Sequence, residues 1–303
     1  MAQIDILMAT FRGEAFLSQQ IHSLQDQTFS DWQLLVHDDG SDDATTQLLA
    51  EFAATDKRIC WIRDGKTFHA AGPHFMYLLQ FSTAPFVIFC DQDDVWLEQK
   101  LDVMFRRIQA LDNSRPQAVY SNSFVYTPET AEIGGYATLF HPRDLKEALF
   151  MNGGIQGCAI MFNAALRDLC KTPPAVVAMH DHVITLMALA CGSLTYVDRR
   201  LMLYRRHVET VTGHTDRSLS ERAQHFFEKG KTVLDARHYA GIVSLYETYH
   251  SQLPSEARSI FEDFFHFSRE SRWKNLWHAW RGHYRLGPRP YLLLFKILVR
   301  PMM

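Results

Sequence analysis

The chain has 303 residues, 47% of them hydrophobic, with 31 Lys and Arg against 34 Asp and Glu. This composition is typical of a globular protein and excludes disordered, collagenous and coiled-coil chains. The net charge of −3 gives no reason to expect nucleic acid as a partner. The five cysteines are scattered, which argues against a disulfide framework and favours a reducing, cytoplasmic compartment. We expect no signal peptide and no transmembrane helix, because neither pattern occurs in the sequence.

Short apolar runs alternate with segments of helical periodicity over roughly the first 110 residues. Strands are predicted at 4–8, 33–37, 58–62 and 86–90, and helices at 14–24, 44–53 and 73–81. Ser41 or Asp42 is expected to cap the second helix, and Pro73 suits the first turn of the third. The alternation is typical of an α/β fold with a parallel sheet.

A polar loop follows three of these strands, at 10–14, 38–42 and 91–94. In parallel sheets, ligands bind outside the carboxyl ends of the strands. We therefore expect the three loops to converge on one crevice.

The second half of the chain is less regular. A strand is predicted at 118–125, a loop at 127–135, and short strands at 194–197 and 201–205. Gly153, Gly154 and Gly157 indicate a tightly turned segment before an apolar run. His180, Asp181 and His182 precede a predicted apolar helix at 183–190, and amphipathic helices are expected after residue 215.

Asp91, Asp93 and Asp94 follow a buried strand directly. Carboxylates this close repel one another unless a cation compensates, and Mg²⁺ or Mn²⁺ prefers such oxygen ligands and bridges to phosphates. The alternative is a solvated acidic turn that caps a helix beginning near Trp96. A second acidic loop contains Asp39, whose carboxylate can accept a base N–H or a ribose hydroxyl, or can simply belong to a capped turn.

Three segments together resemble one family. ATFRGEAFLSQQIHSLQDQTFSDWQLLVHDDGSDD resembles the N-terminal signature of family 2 glycosyltransferases, CDQDDVW resembles their DxD motif, and YRRHVETVTG resembles the C-terminal element of the rhamnosyltransferase-like subset. The resemblance covers roughly residues 3 to 213. It implies a GT-A fold of the α/β class, a Rossmann-like mixed sheet flanked by helices. Residues 1–215 would form the catalytic domain and 216–303 a helical appendage.

The resemblance also implies inverting, metal-dependent transfer of a sugar from a nucleoside diphosphate. By that likeness Thr10, Phe11, Arg12 and Glu14 match the nucleotide-binding loop, and Asp39 matches the acceptor of the pyrimidine N–H. Asp91 matches the DxD residue near ribose and metal, Asp93 the direct metal ligand, and His207 a histidine near the diphosphate or metal. Asp181 matches the base that deprotonates the acceptor hydroxyl, unless it is merely a helix N-cap.

The sequence departs from the family pattern at three positions. Arg12 replaces the usual Asn, where it would contact phosphate or pair with Glu14. His74 stands where Asn is commoner, and Thr210 replaces the Asn of the C-terminal element. These departures leave the carboxylates in place but blur the identity of the donor.

The C-terminal segment is basic and aromatic. From Ser268 to Met303 there are eight basic residues and a single acid, Glu270. Trp273, Trp277 and Trp280 fall at helical spacing on one face. Such a segment suits either an anionic membrane surface or packing on the catalytic domain or another subunit.

The sequence therefore predicts a metal-assisted glycosyltransferase with a dTDP- or UDP-sugar donor, rhamnose being the leading guess by resemblance. The acceptor would be a polysaccharide or a lipid-linked saccharide. The C-terminal region would be able to contact the inner face of the cell membrane. Two alternatives stay open: a phosphatase with an Asp nucleophile, and a non-catalytic module that binds sugar nucleotides.

Overall fold

The computed structural model describes residues 2–128, 130–206, 231–267, 271–289 and 291–303. The strands in these ranges all belong to one sheet: β1 (Ile4–Thr10), β2 (Trp32–Asp38), β3 (Ile59–Ile62), β4 (Phe86–Cys90), β5 (Val95–Trp96), β6 (Gln117–Thr127), β7 (Glu132–Gly134), β8 (Ile160–Asn163) and β9 (Ser193–Arg205). The α-helices in the same ranges are α1 (Leu17–Gln25), α2 (Thr45–Thr55), α3 (Ala71–Leu78), α4 (Lys100–Gln109), α5 (Leu145–Leu149), α6 (Ala164–Cys170), α7 (His180–Cys191), α8 (Ala236–Tyr249), α9 (Ser255–Phe264), α10 (Arg272–Arg281) and α11 (Leu292–Val299).

The sheet has the order β3-β2-β1-β4-β8-β6-β9-β5, with β7 paired to β6. Strands β3, β2, β1 and β4 are parallel, which confirms the prediction for the first part of the chain. Strand β8 then pairs antiparallel with both β4 and β6, so the sheet as a whole is mixed. Every residue of β4 is buried, as expected for a strand with both sheet faces covered.

Alternate residues of the central strands feed two hydrophobic cores. Ile6 and Ile88 point into the core beneath α1, α2 and α4, whereas Leu7 and Phe89 point into the core on the other face. The second core also contains apolar residues from α8 to α11, such as Phe261. The C-terminal helices therefore share a core with the sheet.

The last described residues return to the start of this helical region. The Val233 amide donates to the Pro301 carbonyl at 2.9 Å, and the Leu234 amide donates to the Met302 carbonyl at 2.8 Å. The predicted division at residues 215 and 216 lies outside the described residues and stays a prediction. Among the helices that the structure describes, none has the length and apolarity that crossing a bilayer requires.

Several local predictions are wrong. The loop predicted at 127–135 contains β7, which pairs antiparallel with β6. The two short strands predicted at 194–197 and 201–205 form the single strand β9, which pairs with β6 through two shifts in register. Exposed Asp198 and Arg199 at this irregularity interrupt the apolar pattern and imitate a turn in the sequence.

The predicted cap of α2 is also wrong. Its N-cap residue is Ala44, whose amide donates to Glu14 Oε2 at 2.9 Å. The Ser41 hydroxyl instead donates to Asp38 Oδ1, and Asp42 pairs with an arginine of another loop. The N-cap residue thus provides no side-chain cap, and a carboxylate 30 residues away accepts its own amide.

Candidate functional site

A cleft of about 520 Å³ opens where the polar loops follow β1, β2 and β4. Its lining includes most of the predicted site residues: Thr10, Phe11, Asp39, Asp91, Asp93 and Asp181. The convergence of the three loops on one crevice is thereby confirmed. The individual roles of these residues remain predictions.

Gln92, between the two aspartates of the DxD segment, ties the first loop to the third. Its Nε2 donates to the Phe11 carbonyl at 2.8 Å, and the Phe11 amide donates to its Oε1 at 2.9 Å. A Cβ on Gly13 would lie 2.4 Å from Gln92 Oε1, so a larger residue at position 13 would push this side chain aside. The two loops are thus hydrogen-bonded to each other at the cleft.

Arg12 and Glu14 are not among the residues that line the cleft. Arg12 Nε lies 2.7 Å from Asp42 Oδ1, and both side chains are largely exposed. Pairing of Arg12 with Glu14, one of the two alternatives, is replaced by this ion pair. Arg12 has φ +48°, a left-handed conformation that Asn tolerates better than Arg, which gives a physical reason for the commoner Asn.

Asp39 is buried at the cleft wall and holds the segment that follows β3. Its carboxylate accepts the Phe68 amide on one oxygen and the His69 amide at 2.7 Å on the other. A carboxylate offers about four acceptor sites, so two amides leave capacity for a ligand donor. Asp39 is therefore an anchor of the cleft wall as well as a candidate for nucleobase recognition.

A chain of polar groups lies behind the same wall. His74 lines the cleft, and its Nε2 lies 2.7 Å from His37 Nδ1, while His37 Nε2 lies 3.0 Å from Asp64 Oδ1. Tyr77 donates its hydroxyl to the other oxygen of Asp64. Burial, followed by the neighbouring His37, lowers the pKa of His74 to about 4. His74 is therefore neutral near pH 7.

These partners determine which ring nitrogens of the pair carry protons. When His37 is neutral and donates to Asp64, its Nδ1 accepts from His74 Nε2. Nδ1 of His74 is then an acceptor. The sequence marked His74 only as a departure from the family; its connection to Asp64 required the fold.

The acidic loop is backed by a buried charged cluster. Ligand atoms of Asp91, Asp94 and Cys158 lie within 4.8 Å of one another. Burial and the neighbouring carboxylates raise the pKa of Asp91 and of Asp94. Lys100 supplies a nearby positive charge, with its Nζ donating to the Cys158 carbonyl at 2.6 Å. Burial lowers the pKa of this lysine to about 8.

No helix begins at Trp96, so the alternative of an acidic helix cap is wrong. Val95 and Trp96 form β5, which pairs with β9, and α4 begins at Lys100. Asp94 is fully buried, and its Oδ1 accepts the Arg205 amide at 3.2 Å. Its Oδ2 has no hydrogen-bond partner in the described part of the chain.

The end of β9 positions the DxD loop from behind. Arg205 Nε donates to the Asp93 carbonyl at 2.7 Å, and its terminal nitrogen donates to Gln19 Oε1 at 2.6 Å. The preceding Tyr204 lines the cleft. The segment YRR thus reaches the predicted site, whereas His207 and Thr210 lie outside the described residues.

Asp181 enters the cleft from the first turn of α7. The N-cap residue is Met179, so the alternative that Asp181 is an N-cap is wrong. The helix starts earlier than predicted and includes His180 and His182, which are both buried. Oδ1 of Asp181 is buried without a hydrogen-bond partner among the described residues.

The environment of Asp181 suits a base. Burial is the main cause that raises its pKa to about 7, with Asp91 adding to the rise and the amides of His182 and Gly154 opposing it. A helix N-terminus normally lowers the pKa of a carboxyl, so burial outweighs the helix here. A Cβ on Gly154 would lie 2.5 Å from the Asp181 carbonyl oxygen. Glycine therefore allows this loop to cover the carboxylate.

His180, the neighbour of the predicted base in the HDH triplet, also lines the cleft. It is buried against Phe75, with ring centroids 4.0 Å apart, and neither ring nitrogen has a partner among the described residues. Burial lowers the pKa of His180 to about 3, so the ring is neutral. A Cβ on Gly157 would lie 2.2 Å from its Nε2. The sequence shows the glycine-rich segment and the HDH triplet, but only the fold brings them into contact.

The acidic residues fit a hard divalent cation. Asp91 and Asp93 present carboxylates to the cleft, and the unpartnered Oδ2 of Asp94 adds an oxygen behind them. Mg²⁺ and Mn²⁺ favour such oxygen ligands. The thiol of Cys158 suits such a cation poorly, because burial raises its pKa and keeps it protonated.

Comparison with known proteins gives one matching family model, Glycosyl transferase family 2, over residues 5–170. WfgD of Escherichia coli, a UDP-Glc:alpha-D-GlcNAc-diphosphoundecaprenol beta-1,3-glucosyltransferase, is 34% identical over 33% of this chain and 38% of its own length. The dTDP-rhamnosyl transferase RfbG of Shigella flexneri is 25% identical over 68% of this chain and 73% of its own. The match to the first of these relatives thus spans well under half of that protein.

Solved structures show the same fold at low sequence identity. TarS 1-349 of S. aureus in complex with UDP-GlcNAc superposes with a TM-score of 0.56 and 13% identity, covering 92% of this chain and 87% of that one. The mannosyltransferase PcManGT of Pyrobaculum calidifontis, in complex with GDP-Man and Mn²⁺, gives a TM-score of 0.54 at 14% identity, over 97% and 78%. The mixed sheet flanked by helices is therefore the GT-A arrangement expected from the sequence.

Proposed function

The chain belongs to glycosyl transferase family 2, and from this premise we propose that it transfers a sugar from a UDP- or dTDP-sugar to a saccharide hydroxyl with inversion. One observation carries the proposal: four carboxylates, those of Asp39, Asp91, Asp93 and Asp181, line a single cleft at the sheet edge. Such a cleft can hold a nucleotide at one side and place a carboxylate that acts as general base at the other.

The nucleotide would lie along the loops after β1 and β2. Asp39 would accept the pyrimidine N–H, while Thr10 and Phe11 shape the adjacent floor. Thr10 is itself fixed, because its hydroxyl donates to Asp38 Oδ1 at 2.9 Å. We assign Arg12 and Glu14 an indirect part, since they bind the neighbouring loop through Asp42 and Ala44.

A divalent cation, Mg²⁺ or Mn²⁺, would be held by Asp91 and Asp93, with His207 as a further ligand. When bound, the cation would neutralise the negative charge of the diphosphate leaving group. The chain's own contribution is to hold the ligands in place, with Gln92 and Arg205 fixing the loop on either side. Lys100 limits the repulsion among the buried carboxylates.

Asp181 would act as the general base. The acceptor hydroxyl oxygen forms a bond to the anomeric carbon, the bond from that carbon to the diphosphate oxygen breaks, and the hydroxyl proton passes to Asp181. The diphosphate leaves with the bonding electron pair. A carboxyl with its pKa raised to about 7 binds that proton far better than an exposed aspartate does.

Two relatives support a narrower proposal for the donor and the acceptor. A diphosphoundecaprenol-linked acceptor in one relative and a dTDP-rhamnose donor in the other support a lipid-linked saccharide acceptor and rhamnosyl transfer here. We place the reaction in the cytoplasm, where the five free thiols would remain reduced.

A thermal-shift screen of nucleoside diphosphates and their sugars, with and without Mn²⁺, tests the proposal. We expect UDP or dTDP compounds to raise the melting temperature only with metal, and the responding donor then to show turnover with inversion of the anomeric carbon. An acyl-phosphate trapped on Asp91 would favour the Asp-nucleophile phosphatase instead. Donor binding with neither transfer nor donor hydrolysis would favour the non-catalytic module.

A further inference from the structure

Helix α10 exposes three tryptophans on one face. Trp273, Trp277 and Trp280 are 72%, 54% and 67% exposed, whereas Asn275 and Ala279 on the other face are buried. The helix therefore already packs on the protein through its other side. Indole rings exposed in a row are unusual for a free surface and mark an interaction site.

The neighbouring helix α11 repeats the arrangement. Tyr291, Phe295 and Leu298 are exposed at helical spacing, while Leu293 and Ile297 are buried in the core. Helices α10 and α11 contact each other. We call the exposed residues Trp273, Trp277, Trp280, Tyr291, Phe295 and Leu298 the aromatic surface.

The aromatic surface belongs to a strongly basic segment. Residues 271–303 contain seven Lys and Arg and no Asp or Glu, whereas the rest of the chain has 24 basic against 34 acidic residues. The segment thus carries +7 and the remainder −10. Arg281 lies over the Trp277 ring at 4.9 Å, so cationic and aromatic groups share the same face.

We propose that the aromatic surface docks on the headgroup region of an anionic lipid membrane. Tryptophan and tyrosine suit that region because one end of the ring is apolar and the other polar, and lysine and arginine are attracted to anionic headgroups. A second copy of the chain fits the surface poorly. A two-fold interface would place two segments of +7 against each other.

The aromatic surface is connected to the side of the cleft that contains Asp181. Lys146 of α5 donates its Nζ to the Gly282 carbonyl just after α10, at 2.8 Å. Phe150, directly after α5, packs against Tyr284 with ring centroids 5.6 Å apart. The chain then runs to Gly154, which touches the Asp181 backbone. The use of this link for a lipid-linked acceptor rests on the proposed function, whereas the docking itself does not.

Vesicle flotation tests the proposal with the full chain and no donor present. The protein should float with vesicles of phosphatidylcholine and phosphatidylglycerol, and should stay behind with phosphatidylcholine alone or at high salt. Combining Trp273→Ala, Trp277→Ala and Trp280→Ala should lower the partition coefficient on the order of tenfold or more. The pair Lys274→Glu and Arg281→Glu should do the same.

The matched control is the pair Lys57→Glu and Arg107→Glu, which makes the same charge change at exposed positions outside the basic segment. It should retain binding to anionic vesicles. No binding of the wild type, or equal loss in both charge pairs, overturns the proposal. So does a wild-type dimer that the tryptophan variant converts to monomer. Metal-dependent UDP binding measured on the same samples separates failure of docking from failure of the proposed function.

Discussion

Replacement of Asp181 by Asn removes the proposed base with little change in shape. Asn cannot accept the acceptor proton, so transfer should fall by roughly 10²- to 10⁴-fold. Donor affinity should stay the same, because the loops proposed to bind the nucleotide lie on other elements of the cleft. The wild-type rate should rise with pH until about 7, since the pKa of Asp181 is raised to about 7 and only the deprotonated carboxylate is a base.

The same substitution should change stability with a defined pH dependence. Because the folded-state pKa of Asp181 is raised from 3.8 to about 7, the folded state binds this proton more tightly than the unfolded state. The carboxylate therefore destabilises the fold progressively as pH rises between these values, by at most about 4 kcal/mol. Since the carboxyl is partly open to the cleft, we expect about half of that, or roughly a 4 °C shift in Tm.

Three measurements on one preparation decide the matter: calorimetric donor affinity, initial rates of transfer, and Tm at pH 5 and pH 8. The Tm of the variant minus the Tm of the wild type should be more positive at pH 8 than at pH 5. Asp168→Asn is a suitable control, because that carboxylate is exposed and pairs with Arg167 away from the cleft. Near-normal transfer by the Asp181 variant, or equal pH dependence of Tm in both proteins, would refute the reasoning.

Three further substitutions probe the supports of the cleft. Gly154→Ala should lower the free energy of unfolding by about 1–3 kcal/mol and reduce transfer, because its Cβ meets the Asp181 backbone. Gly134→Ala, which has open space around it, is the control in urea denaturation. His37→Ala leaves His74 without its His37 partner, so we expect the free energy of unfolding to fall by about 1–3 kcal/mol. The donor KM should rise, with a smaller change in kcat. Unchanged kinetics would exclude a role for the polar groups from His74 to Asp64. Asp39→Ala frees the 68–69 segment and should weaken UDP binding on the order of tenfold or more; full affinity by calorimetry would remove Asp39 from the site.

Much of the fold was predictable because the buried strands are short and nearly all apolar. The strand at 86–90 was predicted with the bounds that the structure shows. The errors lie where polar residues enter a strand, as in β9, or where a partner comes from far along the chain. Glu14 at the start of α2 is such a partner, 30 residues from the amide that it accepts.

The candidate site divides in the same way. Asp91 and Asp93 could be found from the sequence because acidic residues follow a buried strand directly. The burial of His180 against Phe75 could not be predicted, because it depends on the packing of α7 against α3. The contact between Asp64 and His37 likewise joins two strand ends that only the parallel pairing of β2 and β3 brings together.

The central claim is that the loop containing Asp91 and Asp93 holds a divalent cation that in turn binds the diphosphate. Calorimetric titration of UDP and dTDP into the wild type and Asp93→Ala, with Mn²⁺ or with a chelator, tests it directly. The account predicts binding to the wild type that requires Mn²⁺ and is lost in the variant. Equal affinity in the variant with Mn²⁺, or full affinity of the wild type in chelator, would contradict it.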